Sequence, residues 1–198
     1  MKRAGGQHRM DSTSISEATP LSELREDFLA TSTRSVPLAG LICWAALGIA
    51  ALILPSRTIG TLGLYIMGAI LPLSFLIERL EGRNPFSGGT DNPLWKLFFV
   101  SIVGIALTVP LVIAAAASSG DPTILVLGMA VLAGVIWIPY GWAAGDPVGV
   151  RHAVARGVGC YLIFNLSHEQ YRATAVCAVV ALAYVYSLVR MKKPLVIS

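Results

Sequence analysis

Six long apolar runs constrain this chain more than any other feature of its sequence. They lie at about residues 36–55, 58–77, 95–117, 122–142, 147–166 and 169–189. A helix that rises about 1.5 Å per residue needs about 20 apolar residues to cross roughly 30 Å of hydrocarbon, and each run is close to that length. The runs therefore predict an all-α fold, a six-helix transmembrane bundle.

The rarity of charged residues supports this prediction. Charged residues make up 13% of the chain and hydrophobic residues 55%, whereas a soluble domain has about 25% charged residues. No charged residue occurs in four stretches, 36–55, 58–77, 97–117 and 122–142. Because one Lys, Arg or Asp at the centre of a helix costs roughly 2.5–3.5 kcal/mol in a bilayer, such stretches are typical of membrane spans.

The distribution of basic residues predicts the orientation. The two ends and the connections after the second and fourth runs hold 13 Lys and Arg, whereas the other connections hold only Arg57 and Arg172. Positive residues collect on the cytoplasmic side, so we expect a multi-pass protein of the cell inner (plasma) membrane with both termini in the cytoplasm. The expected partner is the lipid bilayer, with a second copy of the chain or a membrane partner protein left open. No basic and aromatic stripe indicates nucleic acid.

The chain before the first run divides into two parts. Residues 1–18 have little to bury and are expected to form a disordered cytoplasmic tail, followed by a single membrane domain over residues 19–198. Thr19 and Pro20 are typical of a helix start, and four apolar residues then fall on one helical face, Leu21, Leu24, Phe28 and Leu29. The opposite face is acidic and unsuited to anionic lipid, so we expect this short amphipathic helix to dock on its own bundle.

Proline marks both the starts of several runs and positions inside others. Asn92, Asp121 and Asp146 each precede a proline at the start of a run, which predicts an N-cap followed by a first-turn proline. Inside the second, third and fourth runs, prolines should release the carbonyl groups four residues earlier; these are Pro72, Pro110 and Pro139. Broken helices with free carbonyls line solute paths in transporters, although neighbouring helices also satisfy such groups.

The fifth run differs from the others because it contains Arg151 and Arg156. Small residues at four-residue spacing indicate that its helix packs closely against neighbours; they are Gly149, Ala153 and Gly157. Arg156 follows Pro147 by nine residues, or about 13 Å of helix. An intramembrane charge should face protein or water and find a partner; Glu78, Glu81 and Asp146 are the acids predicted on that side, and Glu78 is the first choice. If the first two turns of the helix protrude from the membrane, Arg156 would instead extend to the interface.

These residues suggest a candidate polar pocket that faces the cytoplasm. Glu78, Arg79, His152 and Arg156 would form it, above a floor of Tyr140 and Trp142. The alternative is an ordinary interfacial charge network that binds nothing.

No catalytic, cofactor-binding or metal-binding residue is predicted. The chain has no H-E-x-x-H, G-x-S-x-G or paired-Asp motif. Cys43, Cys160 and Cys177 lack metal-ligand or C-x-x-C spacing and are interpreted as small packing residues. We therefore expect a protein that is not an enzyme and that needs no cofactor.

Several short motifs resemble a known family. They are SELREDF before the first run, GLICWAALGIAAL in it, GAILPLSFLIERL at the end of the second, DNPL at the start of the third and IPYGW at the end of the fourth. Together they are similar to an uncharacterised family of small bacterial membrane proteins, from about Ser22 onward. This chain differs by its longer N-terminal tail.

The resemblance implies a multi-span membrane protein without an assigned activity, so no site residue carries over. The leading hypothesis is an integral membrane protein with a non-enzymatic role. A small-solute or ion transporter or channel, and a structural or regulatory subunit of a membrane complex, are the alternatives.

Overall fold

The computed structural model describes residues 19–82 and 91–192, and within these ranges the chain is helical and contains no strand. The predicted tail at residues 1–18 lies outside the described residues. The helices are α1 Leu21–Thr31, α2 Ser35–Ala50, α3 Ser56–Leu80, α4 Pro93–Ala106, α5 Val109–Ser119, α6 Thr123–Val135, α7 Trp137–Ala144, α8 Val148–Leu166 and α9 Arg172–Arg190, with a 3-10 turn at Glu169–Tyr171. The all-α prediction is confirmed for the described chain.

The three predicted Asx-Pro caps are present. In each, the side-chain Oδ1 accepts a hydrogen bond from the backbone N–H two residues later, at Leu94 (2.9 Å), Thr123 (2.8 Å) and Val148 (2.9 Å). These bonds satisfy N–H groups that have no partner inside the helix. The caps therefore fix where α4, α6 and α8 begin.

Two of the three internal prolines coincide with helix breaks. α4 ends at Ala106 and α5 begins at Val109, one residue before Pro110. α6 ends at Val135 and α7 begins at Trp137, just ahead of Pro139. α3, in contrast, continues through Pro72. Proline thus interrupts the third and fourth predicted spans and leaves the second helical throughout.

Four helical segments of the described chain are long and apolar enough to cross a membrane: Ser56–Leu80, Pro93–Ser119, Thr123–Ala144 and Glu169–Arg190. A fifth qualifies if α1 and α2, which meet at 54°, count as one broken span. α2 alone has 16 residues, and α8 includes two arginines and a histidine that lower its mean hydropathy. Length and composition thus support four or five of the six predicted spans.

The helices pack around a core formed mainly by α2, α3, α6, α8 and α9. Glycines bring two helix pairs together: a Cβ added at Gly149 would lie 2.5 Å from the Cα of Gly141, and one at Gly40 would lie 2.4 Å from the ring of Tyr184. α4 and α5 lie at the periphery, where Leu94 and Ala116 are their buried residues. The small residues predicted to make α8 a closely packed helix do so at Gly149, whereas Gly157 has open space around it.

The amphipathic helix α1 docks on the bundle, as predicted. Phe28 is fully buried against Trp95 and Tyr140, with ring centroids 4.4 and 5.8 Å away. The Nδ2 group of Asn92 donates to the Leu24 carbonyl oxygen at 2.8 Å and to a carboxylate oxygen of Asp27 at 2.7 Å. The cap of α4 is therefore also the residue that holds α1.

Candidate functional site

α8 presents one polar face to the centre of the bundle. His152, Arg156 and Cys160 follow each other at four-residue spacing, which places them on one side of the helix. All three have no exposed surface, whereas Arg151 on the same helix is exposed. The chain therefore buries one of the two arginines of α8 and leaves the other at the surface.

The guanidinium of Arg156 lies between two aromatic rings. Its Cζ is 5.2 Å from the ring centroid of Trp44 on α2 and 5.2 Å from that of Tyr184 on α9. The aliphatic part of the side chain passes Gly134 of α6, where an added Cβ would meet Arg156 Cδ at 3.1 Å. Arg156 thus joins α8 to three neighbouring helices.

None of the three guanidinium nitrogens of Arg156 has a hydrogen-bond partner among the described residues. Removing a charge from water costs several kcal/mol unless it is paired and hydrogen-bonded. Two cation–π contacts recover part of that cost, at about 2 kcal/mol each when desolvated. They supply no conventional acceptor for the N–H groups, so the donors of Arg156 stay unsatisfied.

His152 lies one turn before Arg156 and has an unpaired nitrogen as well. Its Nδ1 is 2.7 Å from the Ser187 hydroxyl, and its ring stacks on Trp137 with centroids 4.1 Å apart. Its Nε2, like the Nε1 of Trp44, is buried without a partner in the described part of the chain. We call Arg156, His152 and Trp44 the α8 polar cluster; the Tyr184 ring contacts both the arginine and the histidine.

The other predicted pocket residues lie elsewhere. Glu78 is buried near the end of α3, where its carboxylate accepts hydrogen bonds from the hydroxyls of Thr33 and Ser35. Arg79 is exposed. Tyr140 packs against α1, and Trp142 is 49% exposed beneath the guanidinium of Arg25. Of the six residues, the structure brings together His152 and Arg156.

The expected pairing of Arg156 with Glu78 is wrong. Glu78 binds the first turn of α2 at Ser35, whereas Trp44, which contacts Arg156, follows Ser35 by nine residues. That separation corresponds to about 13 Å along α2. One serine and one threonine hydroxyl satisfy the Glu78 carboxylate at the start of α2, and Arg156 lies farther along the bundle.

Sequence reasoning missed Trp44, Trp137, Tyr184 and Ser187. One signal was available: Trp44 and Tyr184 stand inside apolar runs, whereas aromatic-belt residues stand at their ends. A ring that carries a polar hydrogen needs a partner when buried. Mid-span Trp and Tyr therefore indicate a polar interior, although sequence alone does not show that they face α8.

The cluster has the chemistry of a binding site for oxygen acceptors. Arg and Trp side chains donate hydrogen bonds and cannot accept them. No group of three His, Cys, Asp or Glu able to hold a metal occurs in the described ranges, and Cys43, Cys160 and Cys177 are buried with free thiols. What the arrangement offers a ligand is one fixed positive charge and several N–H groups in an apolar surround.

The fold and the cluster define an all-helical protein whose apolar helices enclose a buried cation. The model of a family of unknown function, DUF7010, matches residues 21–192. The chain belongs to that family, and the resemblance expected from its motifs is confirmed. Comparisons with curated proteins and with solved structures give no match.

Proposed function

We propose that this chain is an integral membrane protein with six spans and both termini in the cytoplasm, that it is not an enzyme, and that it binds and moves a small solute through the α8 polar cluster. Four apolar helical segments, and a fifth formed by the bent α1–α2 pair, support the membrane assignment. α8 would be the remaining span, with Arg156 turned away from lipid and the exposed Arg151 in its first turn. The excess of basic residues on one side supports the orientation.

The unpaired, fully buried guanidinium of Arg156 is the observation that carries this proposal. Ionisable residues within membrane helices face the bundle interior and mark solute or ion pathways. A structural arginine would be expected to have its N–H groups satisfied by the fold. A solute with hydrogen-bond acceptors would satisfy these N–H groups. The entry of that solute at the cluster and its release would be the transport step.

The helix breaks lend further support. α6 and α7 meet at Ile136, and α7 carries Trp137, whose ring stacks on His152. The interruption is the single residue Ile136, whose φ of −56° and ψ of −26° are helical, so α6 and α7 form one 22-residue segment with a local irregularity. Interrupted helices beside a buried site are a common feature of transporters. The α6–α7 break lies one ring away from the cluster, so a movement of α7 would change access to His152.

Reconstitution into liposomes tests the proposal. Uptake of a panel of small neutral, cationic and anionic solutes is compared between wild type, Arg156→Met and the matched control Arg151→Met, which changes the exposed arginine of the same helix. We expect at least one solute to enter with wild type and the control and to be excluded with Arg156→Met. No uptake above empty liposomes would contradict transport, and equal uptake by all three proteins would contradict transport through the α8 polar cluster. Terminal tags reached from opposite sides of the membrane would contradict the six-span topology.

A role as a structural or regulatory subunit of a membrane complex, or as a homo-oligomer, is the second candidate. It is favoured by the segment Pro93–Ser119, whose most apolar stretch has no residue buried inside the chain. A partner helix would bury that surface. Cross-linking from cysteines introduced at Val100 and Val103 in native membranes tests it; a specific adduct is expected if a protein covers α4, and none if lipid does.

A further inference from the structure

We propose that the ligand of the α8 polar cluster is a small monovalent anion that carries two or more acceptor oxygens in one plane, as a carboxylate or nitrate does. This inference rests on the proposed function and specifies the chemical class of its solute. It follows from charge, donor geometry and packing at the cluster.

The charge balance requires a negative ligand. An arginine side chain carries a permanent positive charge, and the buried or partly buried acidic groups that the structure describes near the bundle bind elsewhere. Asp27 accepts from Asn92 at 2.7 Å, and Glu78 accepts from hydroxyls. Asp121 pairs with Arg172 at 3.3 Å, and Asp146 accepts from the backbone N–H of Lys192 at 2.8 Å. No acidic side chain of the described ranges hydrogen-bonds the guanidinium. The neutralising charge therefore comes from outside the described residues, and we assign it to the ligand.

One negative charge is enough. The cluster contains a single permanent cation, and the low dielectric of the bundle makes any uncompensated charge costly. A dianion such as sulfate would bring a second negative charge that no lysine or arginine of the cluster balances. The site should therefore discriminate between anions by charge.

The donors favour planar oxyanions. A guanidinium presents its N–H groups in a rigid fork that matches two oxygens of one carboxylate. Trp44 adds an indole N–H beside it. His152 adds a further donor only in the tautomer that carries the hydrogen on Nε2, in which the Ser187 hydroxyl donates to Nδ1. The two ring contacts, each 5.2 Å from Cζ to centroid, give the guanidinium N–H groups no conventional acceptor, so these groups remain available to the oxygens of a ligand.

The packing limits ligand size. Arg156, His152 and Trp44 have no exposed surface, and Gly134 is in close contact with the arginine stem. Formate, acetate and nitrate have three or four non-hydrogen atoms and are therefore the planar oxyanions that displace the least of this packing. We expect longer carboxylates to bind more weakly because they must separate α2 from α8.

Thermal melting of the detergent-solubilised full chain tests the inference. The probes are sodium formate, sodium acetate and sodium nitrate, compared with sodium sulfate at equal ionic strength and with neutral acetamide. Wild type and Arg151→Met should show a saturable rise in Tm of several degrees with the monovalent anions, as expected when a ligand binds only the folded state. Arg156→Met should show no anion-specific rise.

The remaining outcomes separate this inference from the proposed function. An equal rise in Arg156→Met, an equal rise with sulfate, or no rise with any monovalent anion would overturn it. If Arg156→Met does not fold, Arg156→Lys keeps the charge and loses the fork; at least tenfold weaker acetate binding is expected, and unchanged affinity would refute the fork geometry. Arg156-dependent uptake of a neutral or cationic solute would support transport and contradict the anion as ligand. Acetate binding without uptake of any solute would support the anion as ligand and contradict transport.

Discussion

Replacing Gly149 by alanine should separate α7 from α8. A Cβ at this position would lie 2.3 Å from the Trp137 carbonyl oxygen and 2.5 Å from the Cα of Gly141. Both neighbours are backbone atoms, so no side-chain rotation relieves the contact. Reaching the 3.4 Å of ordinary van der Waals contact requires the two helices to move apart by about 1 Å.

The magnitude follows from two opposing effects. Overpacking costs roughly 1–3 kcal/mol, whereas replacing glycine by alanine inside a helix stabilises by about 1 kcal/mol. The matched control is Gly157→Ala on the same helix, where an added Cβ meets nothing within 4 Å. Without a clash, the control should gain up to about 1 kcal/mol from helix propensity alone. The propensity gain is common to both variants and cancels, so we expect Gly149→Ala to unfold at a Tm roughly 2–12 °C below that of Gly157→Ala.

Melting followed by a thiol-reactive dye measures this difference without any label, because Cys43, Cys160 and Cys177 are buried in the folded chain. The separation of α7 should also disturb the stack between Trp137 and His152, which are 4.1 Å apart by ring centroid. If Gly149→Ala melts at the same temperature as Gly157→Ala, or above it, the close approach of α7 and α8 is refuted.

Three further changes have defined outcomes. Asn92→Ala removes the cap of α4 and the two hydrogen bonds to α1, so it should lower the stability of the fold by about 2–4 kcal/mol and make α1 susceptible to protease. Asn165→Ala, at an exposed position, should have neither effect. Glu78→Ala leaves two hydroxyls without their shared acceptor and should lower the stability measured by chemical denaturation by about 1–3 kcal/mol. Acetate binding at Arg156 should be unchanged, and a loss of that binding would contradict the separation of the two sites. Arg172→Ala removes a partly exposed ion pair and should change stability by no more than about 1 kcal/mol; a larger loss would show that this contact matters more than its exposure implies.

Features set by neighbouring residues were predictable from the sequence. The caps at Asn92, Asp121 and Asp146 depend on an Asx side chain, a following proline and the start of an apolar run, all within a few positions. The amphipathic pattern of α1 likewise identifies Phe28 as a packing residue. A cap forms between residues within one helical turn, and an amphipathic helix has one apolar face that must pack against the protein.

The partners of the buried charges were not predictable in the same way. The sequence singles out Arg156 because it interrupts an apolar run, and the structure buries it. Its neighbours Trp44 and Tyr184 come from helices more than 100 and almost 30 positions away, and their contact depends on how α2 and α9 rotate against α8. The pairing of Glu78 with Arg156 rests on elimination among the acidic residues. That reasoning does not consider that the hydroxyls of Thr33 and Ser35 can donate hydrogen bonds to the Glu78 carboxylate.

The peripheral segment Pro93–Ser119 has a consequence for the choice of bilayer. Its 27 residues would extend about 40 Å as a straight helix, against roughly 30 Å of hydrocarbon. As a membrane span, the segment would therefore have to tilt, or bend at Thr108, to keep its ends at the two interfaces. Since few of its residues are anchored to the rest of the chain, its slant should follow lipid acyl length, increasing in short-chain lipids and decreasing in long-chain ones.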